Sequence, residues 1–154
     1  IQQLTFGEEN VCAFFRDSPP KRPFILRIPS MPPAIMKPGA RLFTDRTYTV
    51  REAPESLLGL PFLRTTIDDF HVRVAQGGTL YALTPPDSIK GAASQEKRLR
   101  ELGFKRTDEP VFELFPGRIN HVGIYRKTVK TGERFHFRKV ALMVAGKGTK
   151  IVPE

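Results

Sequence analysis

The chain has 154 residues, a length typical of a single domain. Fourteen prolines exclude a mostly helical protein, because each removes a backbone donor and breaks a helix interior. A single cysteine excludes an internal disulfide and any cysteine-based zinc cluster, and no apolar run approaches the ~20 residues a membrane-spanning helix needs. The formal charge of +9 is unevenly spread. Residues 1–40 carry five Lys/Arg against three Asp/Glu, residues 41–90 six of each, and residues 91–154 fourteen against seven. A basic C-terminal half attracts polyanions such as nucleic acids or acidic polysaccharides. It equally describes a solvated surface.

Residues 1–38 read as an extended, proline-rich segment or linker that docks on an adjacent domain or partner chain. Short strands are expected at Leu4–Phe6, Val11–Phe15 and Phe24–Ile28, separated by the turn Asp17–Pro23 and followed by Pro29, Pro32, Pro33 and Pro38. Cys12 lies in the apolar run Val11–Phe15, where an inert buried thiol is expected. The start at Ile1, with no basic-then-apolar leader, suggests a processed chain or a fragment.

From residue 39 the pattern is that of a β domain reaching residue 154. Arg41–Arg46, Tyr48–Val50 and Phe62–Thr66 read as strands. Phe70, Val72 and Val74 alternate with His71 and Arg73, the period of a half-buried strand. Gly77-Gly78 predicts a hairpin turn into Thr79–Thr84. One short helix is expected after Ser94, with Glu96 in its first turn, Leu99 and Leu102 on its apolar face and Gly103 at its end. Val111–Phe115, Val122–Arg126, Phe135–Phe137 and Val140–Val144 read as further strands, with a hairpin turn at Thr131-Gly132-Glu133. Gly146–Lys150 resembles part of a phosphate loop but has no helix after it, so it reads as a frayed tail. The fold class is all-β: a two-sheet antiparallel sandwich, jelly-roll-like, with one short helix.

Chemistry-bearing motifs are sparse. There is no Gly-x-Ser-x-Gly, and Cys12 has no local base, so no catalytic residue is assigned and the chain reads as non-enzymatic. His71, His121 and His136 stand singly on alternating strands and read as sheet-face residues, which predicts no metal site and no cofactor. Asp68 and Asp69 read as turn residues, their spacing with Asp87 giving no support for a calcium loop. Two binding sets remain. Arg46, Tyr48, Arg64 and Tyr81 pair amphipathic rings with guanidinium forks and suit a sugar or uronate. Arg126, Lys127, Lys130, Arg134, Arg138 and Lys139, with Tyr125, Phe135 and Phe137 between them, suit a polyanion. Phe135 and Phe137 share one strand face and read as core.

Residues 40–144 resemble a bacterial module. The run Ala40-Arg41-Leu42-Phe43-Thr44-Asp45-Arg46-Thr47-Tyr48 is similar to the opening of accessory β-sandwich domains appended to secreted sialidase-like and other polysaccharide-degrading enzymes. Ala53-Pro54-Glu55, Leu60-Pro61-Phe62-Leu63-Arg64-Thr65, Thr79-Leu80-Tyr81-Ala82-Leu83, Leu102-Gly103-Phe104, Ile124-Tyr125-Arg126-Lys127, Thr131-Gly132-Glu133 and Leu142-Met143-Val144 follow in the same order. The resemblance implies a non-catalytic, carbohydrate-associated accessory module of a larger secreted or periplasmic protein, one that binds glycan weakly or orients its neighbour. The alternative is a structural or assembly module, or a binder of basic-patch ligands such as acidic polysaccharide or nucleic acid.

Overall fold

The computed structural model describes residues 34–66, 69–139 and 141–154. The expectations for residues 1–33, Cys12 and Asp68 among them, lie outside the described residues. Among the described residues eight strands are formed: β1 (Phe70–Gln76), β2 (Gly78–Thr84), β3 (Lys105–Arg106), β4 (Phe112–Glu113), β5 (His121–Val129), β6 (Arg134–Phe137), β7 (Leu142–Ala145) and β8 (Lys150–Pro153). One helix, α1 (Glu96–Glu101), and a 3-10 turn at Arg118–Asn120 complete the regular structure of the described residues. The strands make two antiparallel sheets, one ordered β8-β1-β6 and the other β3-β5-β2-β7, with β4 paired to β5. The described residues form an all-β sandwich with one short helix.

Three stretches of chain run through both sheets, and β3 and β4 add to the second alone. Phe70 faces Phe137, and thirteen residues further along each stretch Leu83 faces Ile124. The register therefore passes from one sheet to the other without an insertion. On the far side of the central stretch, Leu83 faces Leu142 and Val72 faces Pro153, with a single irregularity at Lys150/Ile151. Strands that turn a corner between sheets are one of the two ways sandwich layers are joined. This corrects the two hairpin expectations: Gly77-Gly78 and Thr131–Glu133 are corners, not reversals. The Val74 amide donates to the Glu133 carbonyl and the Gly132 amide to the Val74 carbonyl, which carries the ladder through the bend. Glycine is required at Gly77 by close approach, since a Cβ there would lie 2.8 Å from the Val129 carbonyl oxygen.

The expected frayed tail is also corrected. Gly146–Thr149 forms a tight turn, with the Thr149 amide donating to the Gly146 carbonyl, and β8 then pairs with β1. Thr149 is buried because its Oγ1 accepts the Thr79 amide at 2.8 Å.

The core has two layers. Between the sheets lie Val72, Val74, Leu80, Ala82, Tyr125, Phe135, Phe137 and Met143, with Leu99 and Phe104 closing one end. The second sheet is also covered on its outer face, where Leu83, Val122, Ile124, Leu142 and Val144 meet Met36, Leu42, Phe43, Val50, Leu57 and Phe62. Burial on both faces explains why β7 is a continuous apolar run rather than an alternating one. The covering layer, residues 34–66, is not made of the expected strands. It is irregular chain held by isolated bridges, Arg41–Thr49, Phe43–Thr65 and Phe62–Val144. Met36 is fully buried and Ile35 bridges Pro61, so residues 34–38 belong to the folded unit rather than to the segment ahead of residue 39.

Helix α1 forms where the sequence places it. The Ser94 hydroxyl accepts the Glu96 amide, and Thr84 Oγ1 accepts the Gln95 amide. At the other end the Phe104 amide donates to Leu99 and the Gly103 amide to Arg100, with Gly103 at φ 94°. This is the Schellman closure that glycine permits, and its apolar contact joins Phe104 to Leu99 in the core.

Candidate functional site

The exposed face of the three-stranded sheet carries the densest polar chemistry. Alternation along β1 and β6 turns Phe70, Val72, Phe135 and Phe137 inward and His71, Arg73, Arg134 and His136 outward. In the antiparallel register His71 is directly opposite His136, and Arg73 directly opposite Arg134. Each like pair has a carboxylate beside it. Asp69 Oδ1 is 2.6 Å from His136 Nε2 and 4.0 Å from His71 Nε2. Glu154 Oε2 is 3.1 Å from Arg134 Nε and 3.9 Å from Arg73 Nε. The two imidazoles stack with centroids 4.1 Å apart and planes 5° from parallel. On the buried side the next pair, Phe70 and Phe137, also stacks, at 5.2 Å.

Beside this face a pocket of about 510 Å³ opens between α1 and the end of β6. It is lined by Gln95, Arg98, Glu101, His136, Arg138 and Lys139. Arg98 is braced there: Nε and Nη2 donate to the His136 carbonyl at 3.4 and 3.3 Å, and Nη1 lies 3.7 Å from Glu101. Three cations, an amide and an imidazole thus surround a hollow with a single carboxylate in its wall. Its volume lies within the ~300–1,000 Å³ range of small-molecule sites.

The six expected polyanion residues do not share one face. Arg126 and Lys127 are consecutive on β5 and point to opposite sides. Lys127 is half-buried over the Phe135 ring and pairs with Glu133 at 3.3 Å. The Lys130 amide donates to Glu133 and, with Lys127, holds that carboxyl below its ordinary value. Lys130 is exposed at the corner, and Arg134 is paired to Glu154. Only Arg138 and Lys139 reach the pocket, where they are joined by Arg98 of α1.

The expected sugar-binding set is dispersed as well. Arg46 is tied to its neighbour Asp45, 3.4 Å away. Arg64 Nε donates to the Arg41 carbonyl, its Nη2 is buried with no partner among the described residues, and burial and then the Arg41 charge lower its pKa. Tyr81 is half-buried against the outer core. Of the two tyrosines in the set only Tyr48 is exposed, at 45%. It stacks on Phe115 at 4.8 Å beside an apolar cavity of about 120 Å³ lined by Phe43, Phe115 and Ile119 among others.

His121 stands apart from the other two histidines, its Nδ1 against the Gly117 and Arg118 carbonyls. Asp69, expected only in a turn, joins the histidine pair. A signal for that cluster exists in the sequence: Asp69-Phe70-His71 places two polar donors on one face at period two, and Phe135-His136-Phe137 turns His136 away from its two core neighbours. Only the pairing of the two strands brings them together.

No family model, curated protein or solved structure matches this chain.

Proposed function

We propose that the chain is a non-catalytic, carbohydrate-associated β-sandwich module, accessory to a larger secreted protein, whose ligand is an anionic sugar. The convergence of Arg98, Arg138 and Lys139 on one pocket supports this reading. A guanidinium presents paired donors that match a carboxylate or sulfate in a fork, and an ammonium adds a point charge. Gln95 and His136 offer hydrogen-bonding partners for sugar hydroxyls. Glu101 gives orientation by repelling the anionic end from its side of the wall.

Titration calorimetry with uronate or sulfated oligosaccharides against neutral ones tests the proposal. Acidic oligomers bind, and Arg138→Ala or Lys139→Ala weakens binding roughly tenfold, the usual scale for losing a charged hydrogen bond. Equal affinity for neutral and acidic oligomers would count against it. A second reading, a neutral sugar stacked on Tyr48, is favoured by that ring's exposure and its support by Phe115. Tyr48→Ala separates the two, because it leaves the basic pocket intact.

A further inference from the structure

We propose that Asp69, His71 and His136 form a binding site for a divalent transition-metal ion of the zinc class. Their donor atoms, one carboxylate oxygen and two imidazole nitrogens, all lie within 4.8 Å of one another. The backbone fixes that proximity. His71 and His136 are direct cross-strand partners, and Asp69 is two residues before His71, so all three project from one face of the sheet. The strands beneath are held by the stacked Phe70 and Phe137, by Arg98 on the His136 carbonyl, and by the Glu154 amide on the His71 carbonyl at 3.1 Å.

The donor set selects the ion. Imidazole suits zinc, copper, nickel and cobalt, whereas calcium and magnesium require a shell of oxygens. Two histidines and one carboxylate fill three positions of a tetrahedral or octahedral shell and leave the rest to water or a ligand. The ligand bonds of such ions are about 2.0–2.2 Å, so donors must close to nearly 3.5 Å apart. Asp69 Oδ1 and His136 Nε2, hydrogen-bonded at 2.6 Å, have to part slightly to admit the ion, and His71 has to swing inward by a side-chain rotation. Exposure of Asp69 and His71 makes that rotation inexpensive in packing. The ion would replace the contact between Asp69 and His136 as the link between the strands. His136 also lines the basic pocket, so the open positions border it. The metal site stands without the sugar reading, since it requires only these three side chains.

The test is titration of the full, untagged, chelator-treated chain with Zn²⁺ alone by calorimetry, and with Co²⁺ followed by visible absorption. One ion binds per chain, and His71→Ala, His136→Ala and Asp69→Ala each weaken it at least tenfold. His121→Ala leaves binding unchanged, because that ring is elsewhere. Thermal melts of each apo variant verify folding; where an alanine variant unfolds, His71→Gln and His136→Gln take its place. Failure to bind Zn²⁺ at millimolar concentration overturns the proposal. So does binding that survives His136→Ala, or that is lost equally with His121→Ala. None of these results bears on acidic oligosaccharide binding measured in chelator.

Discussion

Glu96 is the only buried charged residue among the described residues, and its surroundings show how a carboxylate is kept ionised there. Burial alone would push the carboxyl up, but the Asp87 amide at 2.7 Å and the Arg100 guanidinium at 2.7 Å outweigh it and hold the pKa below its ordinary value. Burial, together with the charge of the neighbouring Glu96, pushes the Tyr125 hydroxyl up to about 12. Glu96 therefore ties α1 to the chain leaving β2. Glu96→Ala orphans the Asp87 amide and should cost about 1–3 kcal/mol in urea unfolding at neutral pH. Glu96→Gln, which still accepts that amide, should cost less. Because the folded pKa is the lower one, the stabilisation is complete above the ordinary value of 4.5 and fades as pH falls through the folded value. The gap between wild type and Glu96→Gln should accordingly narrow as the pH falls below 4.5. A gap that stays constant would show that the charge contributes nothing.

At the scale of elements, the bent strands depend on the corner at Gly77. A side chain there meets the Val129 carbonyl and the Thr131 amide, both backbone, which cannot rotate away as a side-chain tip can. Gly77→Ala should cost about 1–3 kcal/mol as overpacking, seen as a lower melting temperature, while the same change at Gly132 meets nothing within 4 Å and answers only for its positive φ. Equal losses at both positions would mean that crowding at the corner is unimportant. This corner also marks how far the sequence could be read. Alternation located β1, β2, β5 and β6 and assigned Phe135 and Phe137 to the core, because period two is a local property of one strand. A glycine pair, however, suits a reversal and a corner equally. The difference lies in the partner strand, about fifty residues away, which local pattern does not contain. The helix was legible down to its caps, since Ser94, Glu96 and Gly103 act on backbone groups within a few residues. Residues 41–66 were misread for the opposite reason: their apolar residues cover a sheet face without forming a ladder, and covering imposes no period.

For the whole molecule the question is how its charge is distributed over the fold. A net charge of +9 suggested one basic face built from six residues of the C-terminal half. The fold divides them instead: Arg126 and Lys127 go to opposite sides of β5, Lys127 and Arg134 are neutralised by Glu133 and Glu154, and Arg138 and Lys139 gather with Arg98. Site residues were less legible than core residues for this reason, because a core position follows from one strand's alternation while a site needs several strands at once. The division has a measurable consequence. Binding of a linear polyanion releases counterions in proportion to the phosphates or sulfates neutralised, with a log–log salt slope of roughly −0.7 to −0.9 per contact. Three pocket cations predict a slope of about −2 to −3, whereas all six of the residues singled out by sequence would give about −4 to −5. Affinity for a sulfated polysaccharide, measured by fluorescence anisotropy across a range of salt concentrations, distinguishes the two. Arg126→Glu should leave the slope unchanged, and Arg138→Glu should flatten it by about one contact. A slope near −5 that falls with both substitutions would mean that the polymer wraps the sandwich and that the pocket is only one stop along its path.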